Sequence, residues 1–339
     1  MTLRTTTLLA AFSACLCGSA AAAAYPDTAD GKAFIQDMAS RHGFDPIAVE
    51  QALSVARYEP RVITLIQPPS KPGIRSWQKY RARFLDQTRI SGGLAFWEEN
   101  EATLANASSR FGVPVEIIVA IIGVETIYGR QTGNFQTLSA LATLAFDYPP
   151  RAELFRRELE SLFLLAREQG RDPASYSGSY AGALGYPQFL PSSVRHYALD
   201  FDGDGRVDFD ATPADAIGSV ANYLHVHGWT SGAPIAQRAR FSGVVDTQPL
   251  VATGIEPTLN PEQLSAAGVL AANGEPAAAT ATLVDLETPG APTEFWLGYR
   301  NFYVITRYNR SSFYAMAVFE LAEALRSRRL QTQATTAQN

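Results

Sequence analysis

The most unusual segment of the sequence is Pro114-Val-Glu-Ile-Ile-Val-Ala-Ile-Ile-Gly-Val-Glu-Thr-Ile-Tyr128. Pro114 suits the first position of a helix, and the apolar residues after it cover every face. The segment therefore predicts a helix that is buried on all sides. Its only charges are Glu116 and Glu125, which are nine residues apart and so lie on opposite faces.

The two glutamates differ in their predicted surroundings. Glu116 lies in the first turn, where a carboxylate interacts favourably with the helix dipole. Glu125 stands among apolar residues, where an ionised carboxylate is costly, so we expect its pKa to be raised. A protonated carboxyl in a cleft is what a general acid requires. The alternative is a buried glutamate that is satisfied by backbone amides or by an arginine.

Periodicity outside this segment predicts a mainly α fold of the α+β class. Helices are expected over 152–169 and 213–227, the second with Thr212 as N-cap, Pro213 as first residue and Asp215 completing a capping box.

Helical periodicity fades after residue 232, where β-prone pieces alternate with Pro and Gly turns. Residues 301–306 are β-prone, and 311–326 return to a helix. The predicted domains, in chain order, are a signal peptide (1–24), an N-terminal helical region (25–110) with a Pro-rich break at 67–72, a catalytic core (111–232) with an ion loop (200–215), a small β-containing insertion (233–298), a return to the core (299–326) and a frayed tail (327–339).

The N-terminus has the pattern of a secretory signal peptide. Arg4 is the only charge before Asp27, an apolar run extends from Leu8 to Cys17, and five alanines end at Ala24, where we place the cleavage. The alternative is a lipid on Cys15, which is less favoured because Phe12 stands where lipoprotein signals usually have Leu. We therefore expect a periplasmic protein rather than an outer-membrane lipoprotein.

Composition excludes several classes of function. Lys and Arg number 28 against 33 Asp and Glu, for a net charge of −5, which argues against nucleic-acid binding. The two cysteines, Cys15 and Cys17, both lie in the predicted signal peptide, so the mature chain uses neither disulfide nor thiol chemistry. No motif for an organic cofactor is present. His225 and His227 are two residues apart on a helix, face different ways and are interpreted as structural.

One acidic loop predicts an ion site. The segment Asp200-Phe-Asp-Gly-Asp-Gly-Arg-Val-Asp208 matches the first half of an EF-hand calcium loop. The twelfth position is Ala211 instead of the bidentate Glu, so Asp215 or Asp210 would have to close the shell. Because the ligands are all hard oxygens, calcium is the expected ion.

Two other segments carry polar groups that suit a sugar. The glycine-rich stretch 177–193 holds Ser179, Tyr180 and Gln188, although an ordinary tight loop would look the same. Arg307-Tyr308-Asn309 and the later Tyr314 form the second group, whose alternative is a strand end with surface polar residues.

Together these motifs resemble the lytic murein transglycosylase B family, of the glycoside hydrolase family 103 type. The resemblance covers about residues 30–326, and the motifs occur in the same order as in the family. The matching segments are Gly123-Val-Glu-Thr126 with Tyr128-Gly129, Leu141-Ala-Thr-Leu144 with Tyr148-Pro149, Ala181-Gly-Ala-Leu-Gly-Tyr186 with Gln188-Phe189, Asp215-Ala-Ile-Gly-Ser-Val-Ala-Asn-Tyr223, and Asn301-Phe-Tyr-Val-Ile-Thr-Arg-Tyr-Asn309.

The resemblance implies a lysozyme-like helical core with an additional α domain and a small β domain. It implies non-hydrolytic cleavage of the MurNAc–GlcNAc β-1,4 bond of peptidoglycan, which leaves a 1,6-anhydro-MurNAc end. Glu125 would be the single acid and base, and the substrate N-acetyl group would supply the nucleophile, since ordinary glycosidases need two carboxylates.

The resemblance also implies site residues and partners. The glycan groove would be lined by Ser179, Gln188, Tyr223, Tyr308, Asn309 and Tyr314, and Arg151 would meet the peptide stem. A structural Ca²⁺ would be held by Asp200, Asp202, Asp204, Arg206 and Asp215. Leu184 stands where Met is common in the family, and the ion loop is one residue longer than in some members. We expect a monomer that binds peptidoglycan glycan strands, with cell-wall synthesis proteins as candidate partners.

Two alternative functions stay open on the sequence. A goose-type lysozyme would use the same fold and the same glutamate, with water as the acceptor. A non-catalytic peptidoglycan-binding scaffold is the other, although a pure binder has no need for a buried acid at Glu125.

Overall fold

The computed structural model describes residues 24–68, 75–210 and 212–338. The signal peptide with Cys15 and Cys17, most of the Pro-rich break and Ala211 lie outside the described residues. The chain divides into two compact units, residues 1–54 and 55–339.

In the first unit a short 3-10 helix, Tyr25–Asp27, precedes α1 (Ala29–His42) and α2 (Pro46–Val55). The Thr28 hydroxyl caps α1 by accepting a hydrogen bond from the N–H of Gly31 at 3.0 Å. Gly43 ends the helix in the left-handed conformation, with φ 66°, which a glycine adopts without strain.

The second unit is mainly helical. Its described helices are α3 (Pro60–Ile66), α4 (Trp77–Arg81), α5 (Gln87–Glu99), α6 (Glu101–Phe111), α7 (Val115–Thr126), α8 (Thr137–Phe146), α9 (Ala152–Glu168), α10 (Pro191–Tyr197), α11 (Ala214–Val226), α12 (Gln248–Val251), α13 (Pro261–Ala266), α14 (Arg300–Tyr308) and α15 (Ser312–Gln338). Two short 3-10 helices, Pro149–Arg151 and Pro173–Ser175, flank α9.

Helix α7 is the buried centre of this unit, as its sequence predicts. Nine of its twelve residues are buried, and α5, α6, α11 and α15 pack around it. Pro114 is the N-cap, so the helix begins one residue later than expected. Packing on every side explains why the apolar residues follow no single face.

The amphipathic helix expected over 152–169 is α9. It buries Phe155, Leu159 and Leu162 on the side that packs against α8 and α10. Burial of each such side chain contributes about 1.5–3 kcal/mol relative to exposure.

The strands form two small antiparallel sheets. β1 (Phe135–Gln136) pairs with β2 (Ser177–Gly178). A four-stranded sheet, of order β4-β3-β6-β5, contains β3 (Ala236–Phe241), β4 (Val269–Ala271), β5 (Thr282–Leu286) and β6 (Glu294–Gly298). It has its own apolar cluster, which includes Leu264, Val269, Leu283 and Leu297. A mainly helical fold with a small β region is thereby confirmed.

Two predictions about the C-terminal segment are wrong. Residues 301–306 were expected to be extended but form part of α14, because packing buries Phe302, Val304 and Ile305 along one helical side and overrides the β-propensity of the branched residues. Helix α15 continues to Gln338, through the tail that composition predicts to be frayed.

Among the described residues, no single helix is long and apolar enough to cross a bilayer. Helices α6 and α7 meet that test only as a pair, and they are bent by 113° at the break between them.

The side chain of Asn301 joins the end of α11 to the start of α14. Its Oδ1 accepts from the Thr230 N–H at 2.9 Å, and its Nδ2 donates to the carbonyls of Thr230 and Ala233 at 2.8 and 3.0 Å. Asn301 is fully buried, so its amide depends on these three hydrogen bonds for its polar partners.

Replacing Asn301 with Ala should lower the free energy of unfolding by about 2–4 kcal/mol, because three hydrogen bonds to the turn at 230–233 are lost and the removed side chain leaves a buried cavity. Urea denaturation monitored by circular dichroism measures this difference. Asn106→Ala, on the exposed side of α6, is the matched control and should change stability by less than about 0.5 kcal/mol. Equal stability of the two variants would contradict this role of Asn301.

Candidate active site

Glu125 is the penultimate residue of α7, and a side chain from α15 meets its carboxyl. The hydroxyl of Tyr314 donates to Glu125 Oε1 at 2.6 Å. Tyr314 is buried in the first turn of α15, where the hydroxyl of Ser311 accepts from its backbone N–H at 3.3 Å. The packing of α15 on α7 therefore sets the position of the carboxyl.

Burial raises the pKa of Glu125 to about 7, against the lesser opposing effect of the Tyr314 hydrogen bond. The residue keeps some solvent access, so the carboxyl can exchange protons and reach a ligand. The raised pKa expected from the sequence is confirmed. The polar partner is a phenol, where the sequence suggested backbone amides or an arginine.

The backbone directly after Glu125 is strained. Ile127 and Tyr128 both adopt the left-handed conformation, with φ 51° and 58°, at a cost of about 1–3 kcal/mol each. The Thr126 hydroxyl accepts from the Gly129 N–H at 3.0 Å and lies 3.1 Å from the Tyr186 carbonyl oxygen, to which it can donate. The end of α7 is thus tied to the glycine-rich loop.

A cluster of aromatic rings surrounds Tyr314 beside Glu125. The Tyr308 ring stacks on that of Tyr314, with centroids 6.4 Å apart, and it meets Tyr223 at 4.9 Å and Phe189 at 5.7 Å. Burial raises the pKa of Tyr223 to about 12 and that of Tyr308 well above its ordinary value. These phenols stay protonated at neutral pH.

The hydroxyls of Tyr308 and Tyr223, two of the three tyrosines predicted to line the groove, bind backbone carbonyls. Tyr308 donates to the Pro187 carbonyl at 2.6 Å, and Tyr223 donates to the Arg307 carbonyl at 2.7 Å. Their protons are therefore committed to the protein. Tyr308 is half-buried and can offer a ligand part of its ring and the remaining lone pairs on its oxygen. Tyr223 is buried and its ring is stacked on that of His227, so it can offer only the small part that stays exposed.

Two predicted residues of the glycine-rich loop are shaped by local hydrogen bonds. Ser179 Oγ accepts from the Ala183 N–H at 3.1 Å, which leaves its proton for a ligand. Gln188 has φ 50°, and its Nε2 donates to the carbonyls of Thr132 and Gly185, both at 3.0 Å. Its Oε1 is the atom left to bind a ligand.

The remaining predicted residues lie at the edge of this group or outside it. Asn309 follows α14 directly and is exposed. Arg151 ends a short 3-10 helix, is exposed, and places its guanidinium 5.2 Å from the centroid of the Phe155 ring. No contact described in the structure links Arg151 to Glu125, whereas Tyr314 and Tyr308 share the neighbourhood of the acid.

Tyr80 on α4 is a neighbour of the acid that the sequence analysis missed. Burial and, secondarily, the charge of Glu125 raise its pKa. Its ring lies 5.6 Å from that of Phe313, the residue before Tyr314. The spacing of Trp77, Tyr80 and Phe84 was visible, but it indicated only the packing of a helix.

The acidic loop gathers oxygen ligands. One carboxylate oxygen from each of Asp200, Asp202 and Asp204 lies within 4.8 Å of the others. The N–H groups of Gly203 and Gly205 donate to the two oxygens of Asp200 at 2.7 and 2.8 Å, which fixes the loop around this carboxylate. The set fits a hard cation, with Arg206 at the seventh position, where such loops use a backbone carbonyl.

The predicted capping box at α11 is wrong. Pro213 is the N-cap in place of Thr212, and no side chain caps the helix. Asp215 is buried and instead accepts from the N–H groups of Phe201 at 2.7 Å and Asp208 at 2.8 Å. The loop folds back over the start of α11, so the Asp215 carboxylate accepts hydrogen bonds from the loop amides instead of capping the helix. Asp215 thereby joins the ion loop to α11.

The two histidines of α11 have structural roles, as predicted. His227 Nδ1 lies 2.7 Å from the carbonyl oxygen of Tyr223, and the two rings stack with centroids 4.1 Å apart. The His225 ring packs at 5.8 Å from that of Phe111.

Comparison with known proteins matches most of the chain to one family. The model of the family described as the transglycosylase SLT domain matches residues 27–323. Over 316 residues the chain is 41% identical to membrane-bound lytic murein transglycosylase B of Escherichia coli strain K12, which covers 91% of this chain and 85% of that protein.

Solved structures of lytic transglycosylases are also similar to this chain. Soluble lytic transglycosylase SltB1 from Pseudomonas aeruginosa is 43% identical, with a TM-score of 0.81 over 88% of this chain and 98% of its own. Escherichia coli lytic transglycosylase Slt35 in complex with calcium is 40% identical, with a TM-score of 0.79 over 90% of this chain and 95% of the Slt35 chain. SltB3 from Pseudomonas aeruginosa in complex with NAG-anhNAM-pentapeptide is 31% identical, with a TM-score of 0.75 over 87% and 78%.

The raised pKa of Glu125 makes stability depend on pH. The pKa of Glu125 is about 7 in the folded state against an ordinary 4.5, so the folded state holds the proton more tightly than the unfolded state. The stability that this proton contributes is complete below pH 4.5 and is lost as the pH rises through 7. Glu125→Gln removes this pH-dependent loss of stability, because the amide does not titrate. At pH 8 the variant should be more stable than the wild type by up to about 3 kcal/mol, and at pH 4 the two should agree.

Urea denaturation at both pH values measures the difference. Glu116→Gln, on the opposite face of α7, is the matched control and should show no comparable gain at pH 8. If Glu125→Gln and the wild type lose stability in parallel between pH 4 and 8, the carboxyl does not titrate near neutrality.

Proposed function

The chain belongs to the transglycosylase SLT domain family and is a lytic transglycosylase of peptidoglycan, and we propose that Glu125 is its single acid and base. The lysozyme-like fold implied by the sequence is that of its structural relatives. The observation that carries the proposal is one carboxyl, held by Tyr314 at 2.6 Å, with a pKa of about 7.

In the first step Glu125 acts as the acid. The phenol of Tyr314 occupies Oε1, so Oε2 is the oxygen that carries the proton toward the glycosidic oxygen. As that proton transfers, the bond between MurNAc C1 and the glycosidic oxygen breaks, and the GlcNAc side leaves with a 4-hydroxyl. The acetamido carbonyl oxygen of MurNAc bonds to C1 and takes up the positive charge.

In the second step the ionised Glu125 acts as the base. It takes the proton from the C6 hydroxyl of the same MurNAc, O6 attacks C1, and the bond from the acetamido oxygen breaks. The result is a 1,6-anhydro ring and a reprotonated Glu125, with no water consumed. A pKa near 7 suits both halves of the cycle, because neither protonation state is strongly disfavoured at neutral pH.

The source of the pKa shift supports substrate assistance. Desolvation raises the pKa of Glu125, and no carboxylate among the described residues contributes to the shift. Enzymes that use two carboxylates place them at fixed separations across the bond, and substrate-assisted ones do not need the second. The proposed nucleophile is therefore a group of the sugar itself.

The groove we propose runs along the aromatic cluster. Relatives bind peptidoglycan fragments, and SltB3 was solved with a disaccharide-pentapeptide. Tyr308 would supply a ring face to the sugar and Tyr223 the small part of its ring that stays exposed, with the hydroxyls of both anchored to backbone carbonyls. Ser179 would donate to a glycan oxygen, and Gln188 Oε1 would accept from a hydroxyl. Exposed Asn309 and Arg151 would contact the outer parts of the substrate, Arg151 at the peptide stem.

The ion site is proposed to bind calcium. Slt35, a relative of this chain, was solved in complex with calcium. Asp200, Asp202 and Asp204 supply converging carboxylates, Arg206 a backbone carbonyl, and Asp215 the link to α11. The role that we assign to the ion is structural, because the chemistry at Glu125 needs no metal.

The enzyme is proposed to act in the periplasm after cleavage of its signal peptide, as a monomer on glycan strands. One relative is described as membrane-bound, which supports a cell-envelope location without deciding between a soluble and a lipid-anchored form. Cell-wall synthesis proteins stay candidate partners.

Glu125→Gln should abolish the release of 1,6-anhydro-muropeptides from purified sacculi while binding to sacculi persists, because the amide keeps the shape of the acid but carries no transferable proton. Mass spectrometry of the soluble products measures the first effect and co-sedimentation the second. Glu116→Gln, on the same helix, is the control and should release products at the wild-type rate.

The products also separate the alternative functions. Reducing ends in place of anhydro ends would mean a goose-type lysozyme reaction with water. Binding without products from the wild type would indicate a scaffold protein. Normal cleavage by Glu125→Gln would refute the assignment of this glutamate.

Millimolar calcium should raise the melting temperature of the wild type, because binding to the folded state alone stabilises it by about 2.7 kcal/mol at 100 times the dissociation constant. Asp202→Asn should remove most of this shift. Asp37→Asn, an exposed aspartate on α1, should keep it. Scanning calorimetry with EDTA and with calcium tests the site, and an equal calcium shift in Asp202→Asn would argue against it.

A further inference from the structure

The side chain of Tyr128 occupies a slot between α5 and α7, one turn from the catalytic acid. Gly92 and Gly93 of α5 and Gly123 of α7 form its walls. A Cβ at Gly93 or at Gly123 would lie 2.4 Å from the Tyr128 hydroxyl oxygen, and one at Gly92 would lie 3.1 Å from the ring. The ring therefore occupies this position because Gly93 and Gly123 lack a side chain, and Gly92 lets α5 approach it closely.

A closed circuit of hydrogen bonds surrounds this ring. The Tyr128 hydroxyl donates to the Arg89 carbonyl at 2.8 Å, and Arg89 Nε donates to the Gly123 carbonyl at 3.1 Å. The same carbonyl accepts from the Ile127 N–H at 3.2 Å, the bond that closes the last turn of α7. Glu125 lies within that turn.

Arg89 is itself fixed from two sides. Its Nη1 donates to the Arg83 carbonyl and to Asp86 Oδ2, both at 2.7 Å, and its backbone N–H donates to Asp86 Oδ1 at 2.9 Å. Asp86 is the N-cap of α5. The guanidinium is thus held rigidly where it meets the end of α7.

We propose that Tyr128 and Arg89 are positioning residues for the reaction, which clamp the final turn of α7 and so hold the Glu125 carboxyl in line with Tyr314 and the glycosidic oxygen. This inference rests on the proposed function of Glu125. Two consecutive left-handed residues persist only where the surroundings fix them, and the clamp supplies that fixation. Neither side chain touches the substrate in this role.

Tyr128→Phe removes one hydroxyl and keeps the ring in its slot. We expect kcat on soluble glycan strands to fall about tenfold with KM unchanged, because a small misplacement of the acid slows the chemical step and leaves binding intact. Tyr176→Phe is the matched control: its buried hydroxyl donates to Gln169 Oε1 at 2.7 Å, away from α7. It should lose comparable stability and keep its kcat.

A double-mutant cycle with Tyr314→Phe distinguishes positioning from general stability. If the clamp acts through the alignment of Glu125 with Tyr314, the double variant should lose less activity than the product of the two single losses. Arg89→Lys, which leaves Tyr128 in place but cannot reproduce the guanidinium fork, should lower kcat in the same way. If Tyr128→Phe folds poorly, Arg89→Lys tests the proposal in its place.

The inference is overturned if Tyr128→Phe and Arg89→Lys both keep the kcat of Tyr176→Phe, or if the losses in the cycle multiply independently. Failure of the proposed function looks different, since Glu125→Gln would then remain active. An inactive Glu125→Gln beside a fully active Tyr128→Phe and Arg89→Lys would reject the clamp alone.

Discussion

Burial of the Glu125 carboxyl is the constraint on which the rest of the structure depends. An acid that must give up and recover a proton near neutral pH needs a pKa near 7, and in this protein desolvation supplies the shift. A lysine or arginine at hydrogen-bond distance would lower that pKa and leave a permanent carboxylate. The phenol of Tyr314 satisfies one oxygen without supplying a positive charge, so the carboxyl is oriented and still holds its proton.

The same constraint accounts for the sequence of α7 and for its neighbours. Water is excluded from one side of the carboxyl only if the helix beneath it is buried all round, and this requires apolar residues on every face. The tyrosines that continue from the acid toward the groove keep the surroundings apolar and still offer oxygen atoms. Because Tyr223 and Tyr308 donate their protons to backbone carbonyls, their rings are fixed in position.

Sequence alone predicts the parts of the fold that depend on local pattern. The burial of α7, the extent of α9 and the presence of strands after residue 232 follow from hydrophobic periodicity and β-propensity. The helix α14 could not be predicted in this way, since Val304, Ile305 and Thr306 favour strands until packing buries them. The contact between Tyr314 and Glu125 joins residues 189 apart, and only the folded arrangement of α7 and α15 creates it. Local sequence pattern could not predict three other features for the same reason: the proximity of Tyr80 to Glu125, the hydrogen bonds from the loop amides to Asp215, and the contacts around Tyr128.

Features that serve catalysis here oppose stability, and their position in the fold shows how they are tolerated. A buried acid and two left-handed residues in succession both raise the free energy of the native state. They lie at one end of the buried helix α7, where α5 and α15 fix the chain from two sides. The ion loop acts on the same structure from further away: Asp215 anchors it to the first turn of α11, and Tyr223, about 12 Å along that helix, belongs to the aromatic cluster. If an ion binds the loop as proposed, it would order the start of a helix whose later residues join the aromatic cluster beside Glu125, and so would couple stability to the shape of the proposed site.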